Sequence, residues 1–383
     1  MFGRMRRLTD EQRAIRDTTR DFVRKEIAPH AAEWDRSATT PLDTVRRAGS
    51  LGLFGVCVPP EWGGVGADFI SYILATEELA YGDAGVCNML SATNAFGWKL
   101  RDHGTPEQKA RYLRPVASGH ELACLLFTEP QAGSDAANQK TRAVARGDRW
   151  VINGTKTFIT SGRSASVAVL LAVTDPTAGK RGISAFLTRT DRPGYRVVRV
   201  EDKLGHRSND TCQIALEDLE VSTDDMLGAP GQGLKIALAY LDTGRIGVAA
   251  QAVGVARAAL DAALVYARER ETFGKKLIEH QAIAFMLAEM ATDVEVARQM
   301  TLHAAELKQA GQRCIKEASM AKLFAAQMCE RVCSAAIQVH GGYGFVGDYP
   351  VEKYYRDARV FQIYDGTNEV QKILISRELI GGR

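Results

Sequence analysis

What this chain has little of narrows it first. Its 49 basic residues nearly cancel 46 acidic ones across 383 positions, leaving +3, too small a surplus to imply nucleic acid or another polyanion as partner. No two of its seven cysteines form a CxxC pair. Cys57, Cys87, Cys124, Cys212, Cys314, Cys329 and Cys333 are dispersed and odd in number. That argues against a disulfide framework or a zinc site and fits reduced thiols in a cytoplasmic protein. Cys329 and Cys333 could share one helix face, but without a second ligand pair they read as small core residues, and no metal is expected. No stretch approaches about 18 uninterrupted apolar residues, so membrane insertion is not expected. The basic start Met1–Arg7 lacks a following apolar segment of the secretory kind. Neither an internal repeat nor a low-complexity linker divides the chain.

What remains is an ordinary globular composition, 45% hydrophobic and 25% charged, long enough for two or three domains around substantial cores. Up to about residue 122 the pattern is helical, with a capping-box-like opening at Thr9-Asp10-Glu11-Gln12 and breaks such as Pro59-Pro60-Glu61-Trp62-Gly63-Gly64. The period then shortens. Asn153-Gly154, between Arg149-Trp150-Val151-Ile152 and Thr155 to Thr160, predicts a type I′ hairpin. Val167 to Val173, Gly182 to Thr188, Tyr195 to Val200 and Thr211 to Leu216 read as further strands. From Gly233 the Ala-rich stretches Leu234 to Arg270, Gln281 to Ala310 and Cys314 to His340 return to helical spacing. The expectation is an α+β fold: an N-terminal helical domain over 1–122, a β-barrel-like or sandwich domain over 123–232, and a C-terminal four-helix-bundle domain over 233–383.

Four blocks carry the chemistry. Leu125 to Asp135 places small residues and hydroxyls after a strand, a plain turn or a loop whose backbone donors approach a phosphate or polar ring edge. Arg270-Glu271-Thr272-Phe273-Gly274 to Gln281 reads as a charged helix end and turn. The glycines of Gln338-Val339-His340-Gly341-Gly342 would otherwise mark a helix C-terminus. The last block joins Arg356-Asp357-Ala358-Arg359 to Phe361-Gln362-Ile363-Tyr364-Asp365-Gly366-Thr367-Asn368-Glu369. Together they resemble the acyl-CoA dehydrogenase family from the first helix to Arg383.

That resemblance implies FAD-dependent α,β-dehydrogenation of an acyl-CoA thioester. Asp365 stands where the family usually has Glu as the base, while the β-hydrogen leaves as hydride to the flavin. It implies flavin contacts from Leu125, Phe127, Thr128, Gly133 and Ser134, and from Phe158, Ile159 and Thr160, with Phe158 in place of the commoner Trp. Either aromatic supplies a stacking face, but only Trp adds an N–H donor. Arg270, Thr272, Phe273 and Gln281 are carried over as contacts to the FAD of a neighbouring subunit, with His280 at the FAD edge. Gln338, Gly341 and Gly342 would admit the adenosine pyrophosphate, and Thr367 and Glu369 complete the cofactor set. Ser134, Asp242, Arg245 and Gly366 match substrate-contacting positions, and Trp98, Gln251 and Phe361 the inner end of the acyl pocket. A homotetramer and an electron transfer flavoprotein as acceptor are implied as well.

Shortening the base by one methylene withdraws its oxygens by more than about 1 Å, enough to cost roughly 10²-fold in rate unless the substrate moves to meet it. A compact, branched or alicyclic acyl group could do so. The alternatives are an acyl desaturase acting on a carrier-protein thioester, a non-oxidative lyase on the same scaffold, and a flavin-binding protein without activity.

Overall fold

Thr9 N–H donates to Gln12 Oε1 and Gln12 N–H returns a bond to Thr9 Oγ1, both at 3.1 Å, closing the expected capping box. It starts α1 (Asp10–Phe22), followed by α2 (Ala31–Ser37), α3 (Leu42–Ser50), α4 (Phe69–Gly82), α5 (Ala84–His103) and the short α6 (Pro106–Gln108) and α7 (Arg114–Ala117). The computed structural model describes residues 8–381, so the basic start Met1–Arg7 lies outside the described residues. Asp83 begins α5 by accepting the Val86 N–H at 2.8 Å through Oδ1, and its Oδ2 meets Lys353 Nζ at 2.9 Å. One buried carboxylate therefore caps the central N-terminal helix and ties it to the C-terminal region.

The strands β1 (Ala123–Leu126), β2 (Arg142–Arg146), β3 (Arg149–Thr160), β4 (Val167–Val173), β5 (Ile183–Arg189), β6 (Tyr195–Val200), β7 (Thr211–Ser222) and β8 (Met226–Leu227) follow. They form one eight-stranded sheet in the order β6-β7-β3-β2-β4-β5-β8, with β1 parallel to β4. The hairpin predicted at Asn153-Gly154 is not there. Gly147 and Asp148 turn β2 into β3, and Asn153-Gly154 is a bulge inside β3, where the register against β7 slips between Ile152 and Gly154. Tertiary contacts override the local turn signal. Asn153 exchanges side-chain bonds with Asp218, and a Cβ at Gly154 would stand 2.4 Å from Thr141 Oγ1, so the glycine answers a close approach rather than a turn.

The chain then returns to helices: α8 (Gly233–Leu238), α9 (Leu241–Glu269), α10 (Gln281–Gln309), α11 (Ile315–His340), α12 (Val351–Ala358) and α13 (Asn368–Leu379). A two-stranded hairpin, β9 (Glu271–Thr272) and β10 (Lys275–Lys276), separates α9 from α10. α9, α10, α11 and α13 pack together, and α4 lies against α9. The segment Gly233–Glu269 is long and apolar enough to cross a membrane, yet 67% of its most apolar window is buried in this chain. Its apolar character is that of a core helix, as the buried small residues of α9 from Ala249 to Ala259 require.

Candidate active site

Asp365 sits in a tight turn ahead of α13, with φ of 51°, followed by Gly366 at 88°. Short polar residues tolerate this left-handed conformation better than most, and here side chains from two helices hold it. Gln371 Nε2 donates to the Asp365 and Gly366 carbonyls at 3.3 and 2.8 Å, and Lys322 Nζ donates to the Gly366 carbonyl at 2.8 Å. Thr367 caps α13 by accepting the Val370 N–H at 3.3 Å, and Glu369 is exposed in its first turn. Across the cleft lies Gly244 of α9, where an added Cβ would come 3.1 Å from Asp365 Oδ2. The glycine keeps the approach to the carboxylate open.

The carboxylate can be reached from the cleft, but protein atoms crowd it on its remaining sides. Desolvation therefore raises its pKa above the ordinary 3.8, against the opposing pull of Lys322, Lys99 and Arg245 in that order. Lys99 is 3% exposed, and its ammonium lies 5.6 Å from the centre of the Phe127 ring and 5.0 Å from that of Tyr240 while donating to the Ala95 carbonyl at 3.1 Å. Burial brings Lys99 and Lys322 each down to about 8. Arg245 pairs with Asp242 at 2.7 Å, and its buried Nε has no hydrogen-bond partner among the described residues.

Gln251, on α9, reaches the same turn from the far side. Tyr364 Oη donates to Gln251 Oε1 at 2.7 Å, and Gln251 Nε2 donates to Ser91 Oγ at 3.1 Å. Ser91 also borders a cavity of about 10 Å³ between α4 and α5, roughly room for one water. Phe361 is fully buried against His206 and Tyr364, with ring centres 5.4 and 6.0 Å away, and Trp98 packs edge-on to Tyr72 at 4.9 Å.

A second surface is built by the sheet. Between Lys156 and Ile159 the register of β3 slips again, and Phe158, at φ 57°, is turned outward with 66% of its surface exposed. A bulge that re-aims one aromatic beside a cleft is the expected use of such an irregularity. Thr160 Oγ1 accepts from Asn88 Nδ2 at 3.2 Å, and Thr157 N–H donates to the Thr128 carbonyl at 2.9 Å, so the loop after β1 and the end of β3 are joined. Buried Glu129 fixes that loop. It accepts from Lys156 Nζ at 2.8 Å, from the Lys140 and Thr141 N–H groups and from Gln131. Burial acts to raise its pKa, but Lys156 and these donors outweigh it and hold the carboxyl down at about 2. Lys156, whose burial outweighs its gain from Glu129, comes down to about 8. Both values leave the pair ionised at neutral pH, consistent with the donors gathered on the carboxylate. Gly133 and Ser134 are exposed at the loop tip, Leu125 and Phe127 are half-buried, and Ile159 is core.

The remaining cofactor candidates form a separate group at the end of the bundle. Phe273 and Gly274, at φ 51° and 76°, make the turn of the β9–β10 hairpin, with Phe273 98% exposed. His280 Nε2 lies 3.3 Å from Thr272 Oγ1, and the Arg270 guanidinium lies 5.8 Å from the Tyr343 ring, bringing the Arg270 and Gly341-Gly342 blocks together. Gln281 and Gln338 are exposed beside them, and added Cβ atoms at Gly341 and Gly342 would meet nothing within 4 Å. A groove of about 780 Å³ along α11 is lined by Gln338 but not by Asp365. Among the described residues no hydrogen bond or ring contact joins this group to Thr128, Phe158 and Thr160.

An acid raised by burial, an outward aromatic between hydroxyls, and two glycine-opened surfaces fit a base working beside a planar cofactor with a phosphate tail. The sequence matches the family descriptions "Acyl-CoA dehydrogenase, N-terminal domain" over residues 9–120, "middle domain" over 124–219 and "C-terminal domain" over 231–380. The chain belongs to the acyl-CoA dehydrogenase family. It is 44% identical over 375 residues to the short-chain specific acyl-CoA dehydrogenase of Clostridium acetobutylicum, covering 97% of this chain and 98% of that one. Butyryl-CoA dehydrogenase from Megasphaera elsdenii superposes with a TM-score of 0.96 at 40% identity, over 98% of this chain and all of that one. A chain from the structure of the electron transferring flavoprotein of Acidaminococcus fermentans superposes with 0.97 at 44% identity, over 98% and 100%. Acyl-CoA dehydrogenases are oxidoreductases acting on CH–CH bonds, and FAD is the cofactor of this one. Sequence reasoning did not single out Asn88, Lys99, Gly244 or Lys322. A signal for two of them exists: Asn88, Ser91, Ala95 and Lys99 recur at helical spacing on one face of α5.

Proposed function

We propose that this enzyme removes the α-proton of a compact, branched or alicyclic acyl-CoA with Asp365 as base. The observation that carries the reading is the Asp365 carboxylate, open to the cleft and faced across it by Gly244, where an added Cβ would stand 3.1 Å from Oδ2. Burial raises its proton affinity toward the working range of a general base. The Asp365 N–H binds the thioester oxygen, where a fixed donor counts most as enolate charge develops. Arg245, with its partner Asp242, and exposed Ser134 take the polar length of the CoA arm. FAD, when bound against Phe158, Thr128 and Thr160, supplies the two-electron acceptor for the β-hydrogen. The chain's own residues align and desolvate the reacting carbons.

Two features favour a short, wide acyl site. The shorter base needs an α-carbon brought close to it, and the Tyr364–Gln251–Ser91 bonds bar the way toward the nearly filled space between α4 and α5. The bundle-end group around Arg270 serves the FAD of a neighbouring subunit, which requires at least a dimer and suits a homotetramer. Electrons pass to an electron transfer flavoprotein, the protein whose structure from Acidaminococcus fermentans contains a closely similar chain. The compartment we assign is the cytoplasm.

Anaerobic mixing with butyryl-, isobutyryl- and cyclohexanecarboxyl-CoA tests the reading. Flavin bleaching should be fastest with a branched or cyclic substrate. Asp365→Glu should slow that substrate while speeding butyryl-CoA. Faster reduction by Glu with every substrate rejects the compact-acyl reading, and bleaching only by a phosphopantetheinyl carrier protein moves the substrate off CoA.

A further inference from the structure

The base is held by a residue that no motif marks. Lys322 lies on α11, is fully buried, and sends its ammonium to the Gly366 carbonyl at 2.8 Å and toward Asn368 Oδ1 at 3.4 Å. Among the described residues no carboxylate forms an ion pair with it. A buried ammonium bonded only to neutral acceptors is costly, and burial weakens its hold on the proton accordingly. Its position explains why the charge is kept. The Gly366 carbonyl is part of the left-handed Asp365–Gly366 turn, so the ammonium is anchored on the residue next to the carboxylate, and its charge, with those of Lys99 and Arg245, opposes the effect of burial on Asp365.

We propose that Lys322 is a positioning residue for the reaction: its ammonium pins the Asp365–Gly366 turn through the Gly366 carbonyl and sets a positive charge beside the Asp365 carboxylate that favours its ionised form. The inference rests on Asp365 being the base. The two tasks fall on one side chain because the turn that aims the carboxylate also presents its carbonyl to α11. Gln371 supports the same carbonyl at 2.8 Å without carrying charge, so shape and charge can be separated. The groups facing Asp365 are Lys322 from α11, Lys99 from α5 and Arg245, itself paired with Asp242, from α9. Glu369 acts on Lys322 from the exposed start of α13.

The test is the rate of anaerobic flavin reduction by butyryl-CoA between pH 5 and 9, with FAD content and melting temperature recorded for each holoenzyme. Lys322→Met should move the rising limb to higher pH by about one unit or more, because an adjacent opposite charge lowers a carboxyl pKa by that order. Lys322→Arg should return the limb toward its wild-type position. Gln371→Met should lower the rate while leaving the limb in place. If Lys322→Met does not accumulate as holoenzyme, Lys322→Gln, which retains a donor and loses the charge, carries the same comparison. An unmoved limb in both neutral variants overturns the proposal, whatever happens to stability. Asp365→Asn run alongside separates the two readings: wild-type reduction there removes Asp365 as base, whereas an inactive Asn variant beside an unshifted Lys322→Met profile removes only the role of Lys322.

Discussion

Tyr364, one residue before the proposed base, is bonded through its phenol to Gln251, and Gln251 is bonded to Ser91, so three segments meet in a single polar bar. The side chain in the middle can be shortened without touching the base. Gln251→Ala should open space beyond the bar and shift preference toward longer linear acyl groups, measured as kcat/KM from butyryl- to octanoyl-CoA. Loss of the bond partners should also cost about 1–3 kcal/mol of stability. An unchanged chain-length profile would place the acyl group elsewhere.

Asp365→Asn should cut flavin reduction by roughly 10³-fold or more, since proton removal loses its acceptor. It should also melt higher than wild type at pH 7. The sign follows from linkage: a carboxyl whose folded pKa lies above the unfolded 3.8 contributes stability present below pH 3.8 and lost as pH rises through the folded value. Asn, uncharged and at ease in a left-handed conformation, escapes that loss. The difference in melting temperature should shrink as the pH approaches 3.8.

Glu129 works in the opposite sense. Its pKa, held at about 2 against an ordinary 4.5, contributes stability present above pH 4.5 and lost as pH falls toward 2. Glu129→Gln leaves the buried Lys156 ammonium without its counter-charge, bonded to neutral acceptors such as Gln139 Oε1 at 2.7 Å, and should cost up to about 3–5 kcal/mol at neutral pH, with a flatter melting profile than wild type between pH 4.5 and 2. Because Glu129 fixes the loop bearing Thr128, FAD should dissociate faster as well, read from fluorescence of released flavin.

Arg270→Ala should lower both the ratio of flavin to protein absorbance and the oligomer mass by light scattering, because one exposed side chain is assigned to cofactor and interface together. Full FAD occupancy in a monomeric variant would contradict that assignment.

The helix–sheet–helix order was legible in the sequence because period changes and Gly/Pro breaks are local. The site blocks were legible because each compresses an acid, an aromatic or paired glycines into a few positions. Asn153-Gly154 misled for a physical reason: the dipeptide favours a turn only when no neighbouring strand claims it, and Asp218 and Thr141 do. Lys99 and Lys322 stayed hidden because a lone lysine in an apolar helix looks like a solvated residue until its end point is known. Their charge matters only through a carboxylate far away in sequence.

The cap of α5 carries its own consequence for how the chain is made. Asp83 is fully buried and its second oxygen is neutralised by Lys353, which also holds Asp357 at 2.6 Å. On the ribosome, α5 emerges long before α12, so a nascent chain holds its central N-terminal helix without the Lys353 partner of its capping acid until α12 has been made. Truncation before Lys353 should therefore leave the N-terminal helices loosely docked and protease-sensitive rather than folded as an independent fragment.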